Sequence, residues 1–519
     1  MTLKIKNLVY LFITLIVVQT MISCEDILDQ RNPNKLDTTN FWRDADDLND
    51  GLNAVYRSLR FNGTYRLWLN ILYTGRSDEG YSESPAAAMK SYHTFLISRY
   101  TEEAVIFPWL DSYKGVFWAN QVLDNAPRID MDAAERDLII GQAAFIRGVN
   151  FFNIAAVYGR GGIPLSAEAS VQLSIHEQAD IYKQAQKDFE NAAKLLPVEW
   201  DVADLGRYTK GSALAMDVKV SAQLHEWDRV KTKCEDIFAL GIYDLVPVYG
   251  DNFTETNEHN SESLFEITQS ANSALQLNSQ RAHFLGLPCD YGAWADSFAR
   301  NVVKTDLEKE KATDGKTDPR LKSTLYYYSA ETASEIYYTK TWDQWALDRS
   351  KVFWKKFTGW GVTAPTGKDL NGINTRVVRL ADIYLMYAEA LNELTPGDEK
   401  IVEYINKVRA RVGIPNLENS TVFTGFTKSG NSQASIRLQL MHERSTELAG
   451  ENWRWFDLER WGCFDRVDDD LANGKRGLAW LKSRDAEFNN FVIGKNNRFP
   501  IPSRDDVLVD GLEQNPGYN

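Results

Sequence analysis

Histidine and cysteine are both scarce, with six of one and four of the other in 519 residues. The six histidines never fall in an HxxxH pair, which excludes the helical zinc-protease arrangement and gives no indication of a histidine-rich metal centre. Cys24 stands directly behind an apolar leader, and the three others, Cys234, Cys289 and Cys463, are odd in number and widely spaced. Neither a disulfide framework nor a CxxC metal site is encoded, so these three read as small buried hydrophobes. Positive charge is also short: 58 Lys and Arg face 72 Asp and Glu, a net charge of −14. Nucleic acid or an anionic membrane surface would need a concentrated positive field, so a neutral ligand fits better. Nucleotide and acyl-transfer signatures are absent as well. GRSDEG at 75–80 has the wrong spacing for a nucleophile elbow, and GVTAPTGKD at 361–369 carries Val362 and Asp369 where a phosphate loop requires Gly and Ser or Thr. No metal, cofactor or catalytic residue is therefore predicted. A pair of carboxylates about 5–10 Å apart, suited to glycosidic cleavage, is left open by a chain with so many acids.

After the leader, no apolar run is long enough to cross a bilayer. Lys4 and Lys6 precede an apolar core, Leu8 to Val18, with the charge and length of a secretory signal. Met21, Ile22 and Ser23 then lead to Cys24 in the manner of a lipobox, with Met in place of the usual Leu. Lipidation of Cys24 is expected, with residues 1–23 removed; two or three acyl chains anchor a protein stably without any transmembrane helix. The alternative is an ordinary signal followed by an incidental cysteine.

What the chain has in quantity is aromatic residues, fifteen Trp and twenty-three Tyr, most of which must be core. Apolar residues recur at helical spacing in several long segments. FWRDADDLNDGLNAVYRSLR follows a TTN that can cap it. AAERDLIIGQAAFIRGVNFFNIAAVYG stops at Gly159, Gly161, Gly162 and Pro164, and its Gly141, Ala143, Ala144 and Gly148 allow a second helix to approach closely. In EQADIYKQAQKDFENAAKLLP, Ala185, Phe189, Ala192 and Pro197 reproduce the spacing of the second helix of a tetratricopeptide repeat. Val230, Cys234 and Ile237 repeat those offsets, as do Ile401, Ile405 and Val408, and IRLQLMHERSTELAGENWRWFDLERWG makes a fourth pair. The predicted fold is mainly α: a tetratricopeptide-like helical-repeat scaffold with an irregular, loop-rich lobe containing short strands. Helix pairs are expected in 24–249 and 376–519, with the irregular lobe in 250–375, where LFEITQS, TLYYYSA and SEIYYTK read as short extended segments.

His442, Glu443, Arg444 and Glu447, with Trp453, Trp455 and Trp461, resemble an active-site cluster, but their spacing equally gives a salt-bridged, packed helix face, which is the favoured reading. Loops on a rigid frame are the better place for ligand contacts. An oligosaccharide presents C–H faces that pack on exposed rings and hydroxyls that need polar partners. The loops offering both are RSDEGYSES with SYHTF, and DYGAW with TWDQW. The ligand-binding candidates are Arg76, Asp78, Tyr81, Tyr92, Tyr291, Trp294, Trp342 and Trp345.

Taken in order, AAFIRGVNFFNIAAVYGRGGIPL, DFENAAKLLP, GRYTKGSALAMDVKVSAQL, ESLFEI, TDPRL, RLADIYLMYAEALNE, HERSTELAGENWRWFDLERWG and RFPIPSRDDVLVDGLEQNPGYN resemble the SusD/RagB family from Cys24 to Asn519, with Arg160 and Gly161 stretching the usual turn after the long helix. Glu25 and Asp26 resemble the acidic stretch behind the lipidated cysteine of surface lipoproteins in Bacteroidetes. The resemblance implies an outer-membrane lipoprotein facing the cell exterior and held in the membrane by its lipid anchor. It also implies a partner, a SusC-like TonB-dependent β-barrel on which the lipoprotein sits as a lid during glycan import. No binding residue carries over by motif, because the family's sugar contacts lie in variable loops. The leading expectation is a non-catalytic oligosaccharide-binding protein. The rivals are a surface glycoside hydrolase on a helical scaffold and a tetratricopeptide adaptor that binds only protein.

Overall fold

The computed structural model describes residues 41–85, 87–97, 102–168, 174–272, 278–287, 294–337, 340–359, 371–502 and 513–518. Its frame is a row of helices, each packed against the next. Glu103–Asn125 packs on Ala133–Tyr158, which packs on Gln178–Leu195; Lys210–Gln223 and Trp227–Ala239 follow in turn. The chain then leaves the row for about 140 residues. Leu380–Leu394 rejoins it by packing on Trp227–Ala239, and Glu399–Arg411 and Gln433–Glu447 extend it. A single apolar core runs through this row, as stacking of helical repeats requires.

Local sequence explains these elements. The offsets read as repeat spacing all face inward: Ala185, Phe189 and Ala192, then Val230, Cys234 and Ile237, then Ile401, Ile405 and Val408 are buried. Contrary to the expectation that no later run has membrane length, Ala133–Tyr158 is apolar and long enough by composition; its apolar window is 83% buried, so that apolarity serves the core. Asp132 caps its first turn, accepting from the Ala134 and Glu135 amides, and Gly159 ends it at φ +71°, a left-handed conformation that glycine adopts without strain. Gly148 lets the neighbouring helix in: a Cβ there would lie 2.8 Å from the Phe189 ring. The helix expected from Phe41 begins later, at Ala45, because the Asp44 carboxylate captures the Asp47 amide and sets the cap there; the TTN at 38–40 lies outside the described residues.

Most of the excursion is closed by one two-stranded sheet, where Ser263–Ile267 pairs antiparallel with Thr375–Arg379 just before the chain rejoins the row. Between these strands the described elements are short, among them the helices Arg281–Leu285, Asn301–Glu308, Pro319–Thr324 and Trp342–Trp345, and the antiparallel pair Leu325–Tyr327 with Val352–Trp354. Tyr337 and Lys340 form only an isolated bridge where SEIYYTK was read as extended. The excursion is fastened to the row by buried charge. Arg379 reaches Glu262, Glu447 and Glu451, Lys356 reaches Glu451, and Arg320 reaches Asp318 and Glu447. Burial alone would raise the Glu447 carboxyl, but the guanidiniums of Arg411, Arg379 and Arg320 outweigh it and hold the group well below the usual range. Glu443, Arg444 and Glu447 thus belong to the interior ion-pair lattice; Arg444 bridges Asp382 and Asp457.

Candidate ligand-binding site

Gly80–Ser82 pairs antiparallel with Ser297–Ala299, setting Tyr81 opposite Phe298. Cross-strand partners on one face lie close enough for ring contact, and these two stack with centroids 5.2 Å apart and planes 23° apart. Phe298 meets Phe353 at 5.3 Å, Phe353 meets Trp342 at 5.7 Å, and Trp342 lies against Tyr326 at 4.9 Å and Tyr328 at 6.0 Å. The result is a compact aromatic core private to the irregular lobe, with Tyr81, Tyr328 and Trp345 half-buried at its margin. Trp294 stands just before the Ser297–Ala299 strand. It is 55% exposed, with its ring 4.1 Å from that of His283 and 5.4 Å from that of Phe284, and its amide donates to the His283 carbonyl. Trp345 is held by its indole N–H, which donates to the Tyr337 carbonyl at 3.0 Å. Tyr81, Tyr328 and Trp345 edge this core and Trp294 stands just ahead of the strand that carries Phe298; these four rings are taken together as an aromatic rim, and the chemistry they offer is stacking against the apolar face of a ligand.

Of the eight residues predicted as contacts, Tyr81, Trp294 and Trp345 reach this rim, and Tyr291 lies outside the described residues. The other four are interior and are corrected here. Arg76 is sandwiched between Trp455, at 4.2 Å, and Phe499, at 4.4 Å, and donates to the Asn496 carbonyl. Burial pulls its guanidinium down to about 10. Asp78 accepts two bonds from Arg454, at 2.7 and 3.0 Å, and pairs with Arg484. Burial would raise its carboxyl, but the two guanidiniums hold it well below the usual range. Tyr92 is buried and donates its hydroxyl proton to the Ala104 carbonyl at 2.6 Å. Trp342 is fully buried at the centre of the lobe core, its indole N–H on the Leu347 carbonyl. None of the four has surface to offer a ligand; they position the segments that do.

The residues missed by sequence reading are the rim's polar fringe. Arg300 lies 4.5 Å from the centre of the Tyr81 ring, Arg349 lies 4.1 Å from Tyr328, and Lys340 lies 4.2 Å from Trp345. Lys351 bridges Tyr81 and Phe298, at 5.5 and 5.1 Å, and pairs with Glu83. The signal available was a basic residue close to each aromatic cluster. Behind Tyr81, His93 accepts the Ser82 amide through Nδ1 at 3.3 Å, and burial, with Arg300 nearby, pulls its imidazole down to about 4.

Two clefts lie elsewhere, one of about 330 Å³ beside Trp200 and Tyr243 and one of about 280 Å³ beside Trp227 and Trp461. Most of their polar lining is already engaged: Trp200 donates to the Tyr208 carbonyl, Ser212 to the Leu264 carbonyl, and Arg437 and Arg460 pair with Glu393 and Glu389. Among the described residues no group of three His, Cys, Asp or Glu is arranged to hold a metal ion.

Residues 249–518 match the SusD family, and residues 26–221 match a family described as starch-binding and associating with the outer membrane. The SusD-like protein P25 of Formosa agariphila is 26% identical across 99% of this chain and all of its own. A SusD-like protein of Bacteroides ovatus is 22% identical across 90% of this chain and 86% of its own. A SusD superfamily crystal structure from Bacteroides vulgatus superposes with a TM-score of 0.76 at 24% identity, covering 89% of this chain and 97% of that one. A laminarin-binding SusD-like protein gives 0.70 at 24% identity over 92% and 100%. Surface glycan-binding protein A from Bacteroides uniformis gives 0.71 at 18% identity over 91% and 99%. These superpositions establish the shared fold.

Proposed function

The chain belongs to the SusD/RagB family, and from that membership we propose that it captures oligosaccharide at the outer face of the outer membrane without breaking any bond. The observation that carries this reading is the aromatic rim, above all Trp294, more than half exposed on a lobe that a rigid helical frame holds in place. Ring faces of this kind pack on sugar C–H surfaces, and the surrounding polar groups orient hydroxyls. The relatives whose names state an activity are called glycan- or laminarin-binding, which supports binding over hydrolysis. The finer picture is that Cys24 carries the lipid anchor, that the captured glycan passes to a SusC-like TonB-dependent β-barrel, and that this chain acts as the barrel's lid.

Titration calorimetry of the chain from Glu25 onward against an oligosaccharide panel tests the binding reading, with the recovered sugar checked for cleavage. Trp294→Ala is expected to weaken binding by at least about fivefold, about 1–3 kcal/mol for a lost stacking platform, with thermal stability little changed because the ring is more than half exposed. Cleaved sugar would replace the reading with a hydrolase, and undiminished binding by Trp294→Ala would remove the rim from the site.

A further inference from the structure

The whole chain is acidic, but at the rim cations are mounted on rings, with carboxylates set beside them. Of its four rings, Tyr81, Tyr328 and Trp345 each have a cation at the ring: Arg300 at 4.5 Å, Arg349 at 4.1 Å and Lys340 at 4.2 Å. Lys351 adds a fourth positive group between Tyr81 and Phe298. Trp294 alone shows no cation at its ring among the described residues, its neighbours being His283 and Phe284. A neutral sugar needs open ring faces, and a face occupied by a guanidinium or ammonium is partly spent. The rim therefore offers one open stacking platform and several ring-mounted cations.

The carboxylates beside those cations are replaceable. Asp343 holds Arg349 at 2.8 Å, but the two side chains are 61% and 58% exposed, and pairs so exposed are weak. Glu83, the partner of Lys351, is itself half-exposed. Asp348, the nearby third acid, is occupied by the Ser350 amide and hydroxyl. Arg300 differs, because its partner Asp485 is buried, so Arg300 is a fixed charge. A ligand anion can take the place of Asp343 and Glu83 on Arg349 and Lys351 while the rings keep both cations positioned, and charge-assisted bonds of this kind are the strong ones.

Resting on the glycan-binding reading above, we infer that the rim selects an anionic oligosaccharide: a sugar ring stacks on Trp294, and carboxylate or sulfate substituents pair with Arg349 and Lys351. The chain's net charge of −14 favours a neutral ligand only when charge is averaged over the molecule.

The test is calorimetry with three probes of matched length: oligogalacturonate, a sulfated galactan oligosaccharide and a neutral laminari-oligosaccharide. One or both anionic probes should bind at least tenfold more tightly than the neutral one, weakening as salt is raised, and the stronger of the two names the anion. Arg349→Gln and Lys351→Gln should each cost roughly three- to tenfold on the anionic probe, a larger loss than either causes on the neutral one, and should flatten the salt dependence of the anionic probe. Both side chains have solvent access, so folding is not at risk, and Lys475→Gln, remote from the rim, is the control for bulk charge. Equal or tighter binding of the neutral probe, or indifference of the anionic affinity to both substitutions, overturns the inference while the glycan-binding reading stands. Binding of none of the three overturns both.

Discussion

Glu79 stands between the buried Asp78 and the glycine that opens the strand carrying Tyr81. Its carboxyl is itself buried, accepts only the Gly450 amide at 3.1 Å, and is pushed up by burial to about 8 from an ordinary 4.5. Between those values the folded protein holds a proton that the unfolded chain has released, so stability falls as pH rises through the window. Above pH 8 the whole cost is present. Glu79→Gln keeps an acceptor for Gly450 and cannot ionise. It is expected to gain on the order of 2–4 kcal/mol over wild type at pH 8.5 and little at pH 4.5, read from denaturant unfolding at the two pH values. Residues of this kind show where sequence reading stops. RSDEGYS looks like a solvated loop, yet Asp78 finds Arg454 376 positions away and Arg484 406 positions away, pairings that no local pattern announces. Trp294 and Trp342 are equally anonymous in sequence. One lies just ahead of a strand and is exposed; the other lies in a four-residue helix turned inward and is wholly buried.

Elements were far more legible, because helical period is a local property of a helix buried along one stripe. The repeat-like offsets located the inward faces of three helices, and Gly141 and Gly148 marked where neighbours come close. Their tolerance differs. At Gly148 an added Cβ meets the rim of the Phe189 ring at 2.8 Å, and that ring is fixed against Phe145. Gly148→Ala is therefore expected to lose about 1–2 kcal/mol, the overpacking cost exceeding the gain in helix propensity, measurable as a lower urea midpoint. At Gly141 the contacts are looser, 3.0–3.1 Å to Leu195 Cβ and to the Leu196 side chain, of which the latter can turn aside, and the same substitution should cost less than at Gly148. The short strands of the lobe were harder to place, since three-residue pairs such as Gly80–Ser82 with Ser297–Ala299 depend on partners more than 200 residues apart.

Across the whole molecule, buried ion pairs join segments that the helical row alone would leave loose. Asp78 ties the N-terminal segment to the C-terminal helices Arg454–Arg460 and Leu478–Arg484, and so fixes the strand on which Tyr81 is displayed. Asp78→Asn leaves Arg454 buried without its charge partner and Arg484 with Asp306 alone, and is expected to cost about 3–5 kcal/mol in unfolding free energy and to weaken ligand binding with it. A chemical-denaturation curve and a titration on the same preparation would show whether the two losses travel together. The pairing of Ser263–Ile267 with Thr375–Arg379 carries a further consequence. That seam closes the excursion on itself, so its length and its exposed content can be exchanged while both splice points stay where they are, provided that Ser297–Ala299, Arg320 and Lys356, which grip Gly80–Ser82, Glu447 and Glu451 outside it, are kept. A transplant between the two strands that keeps those three anchors is the natural unit by which one such protein would acquire another's diet.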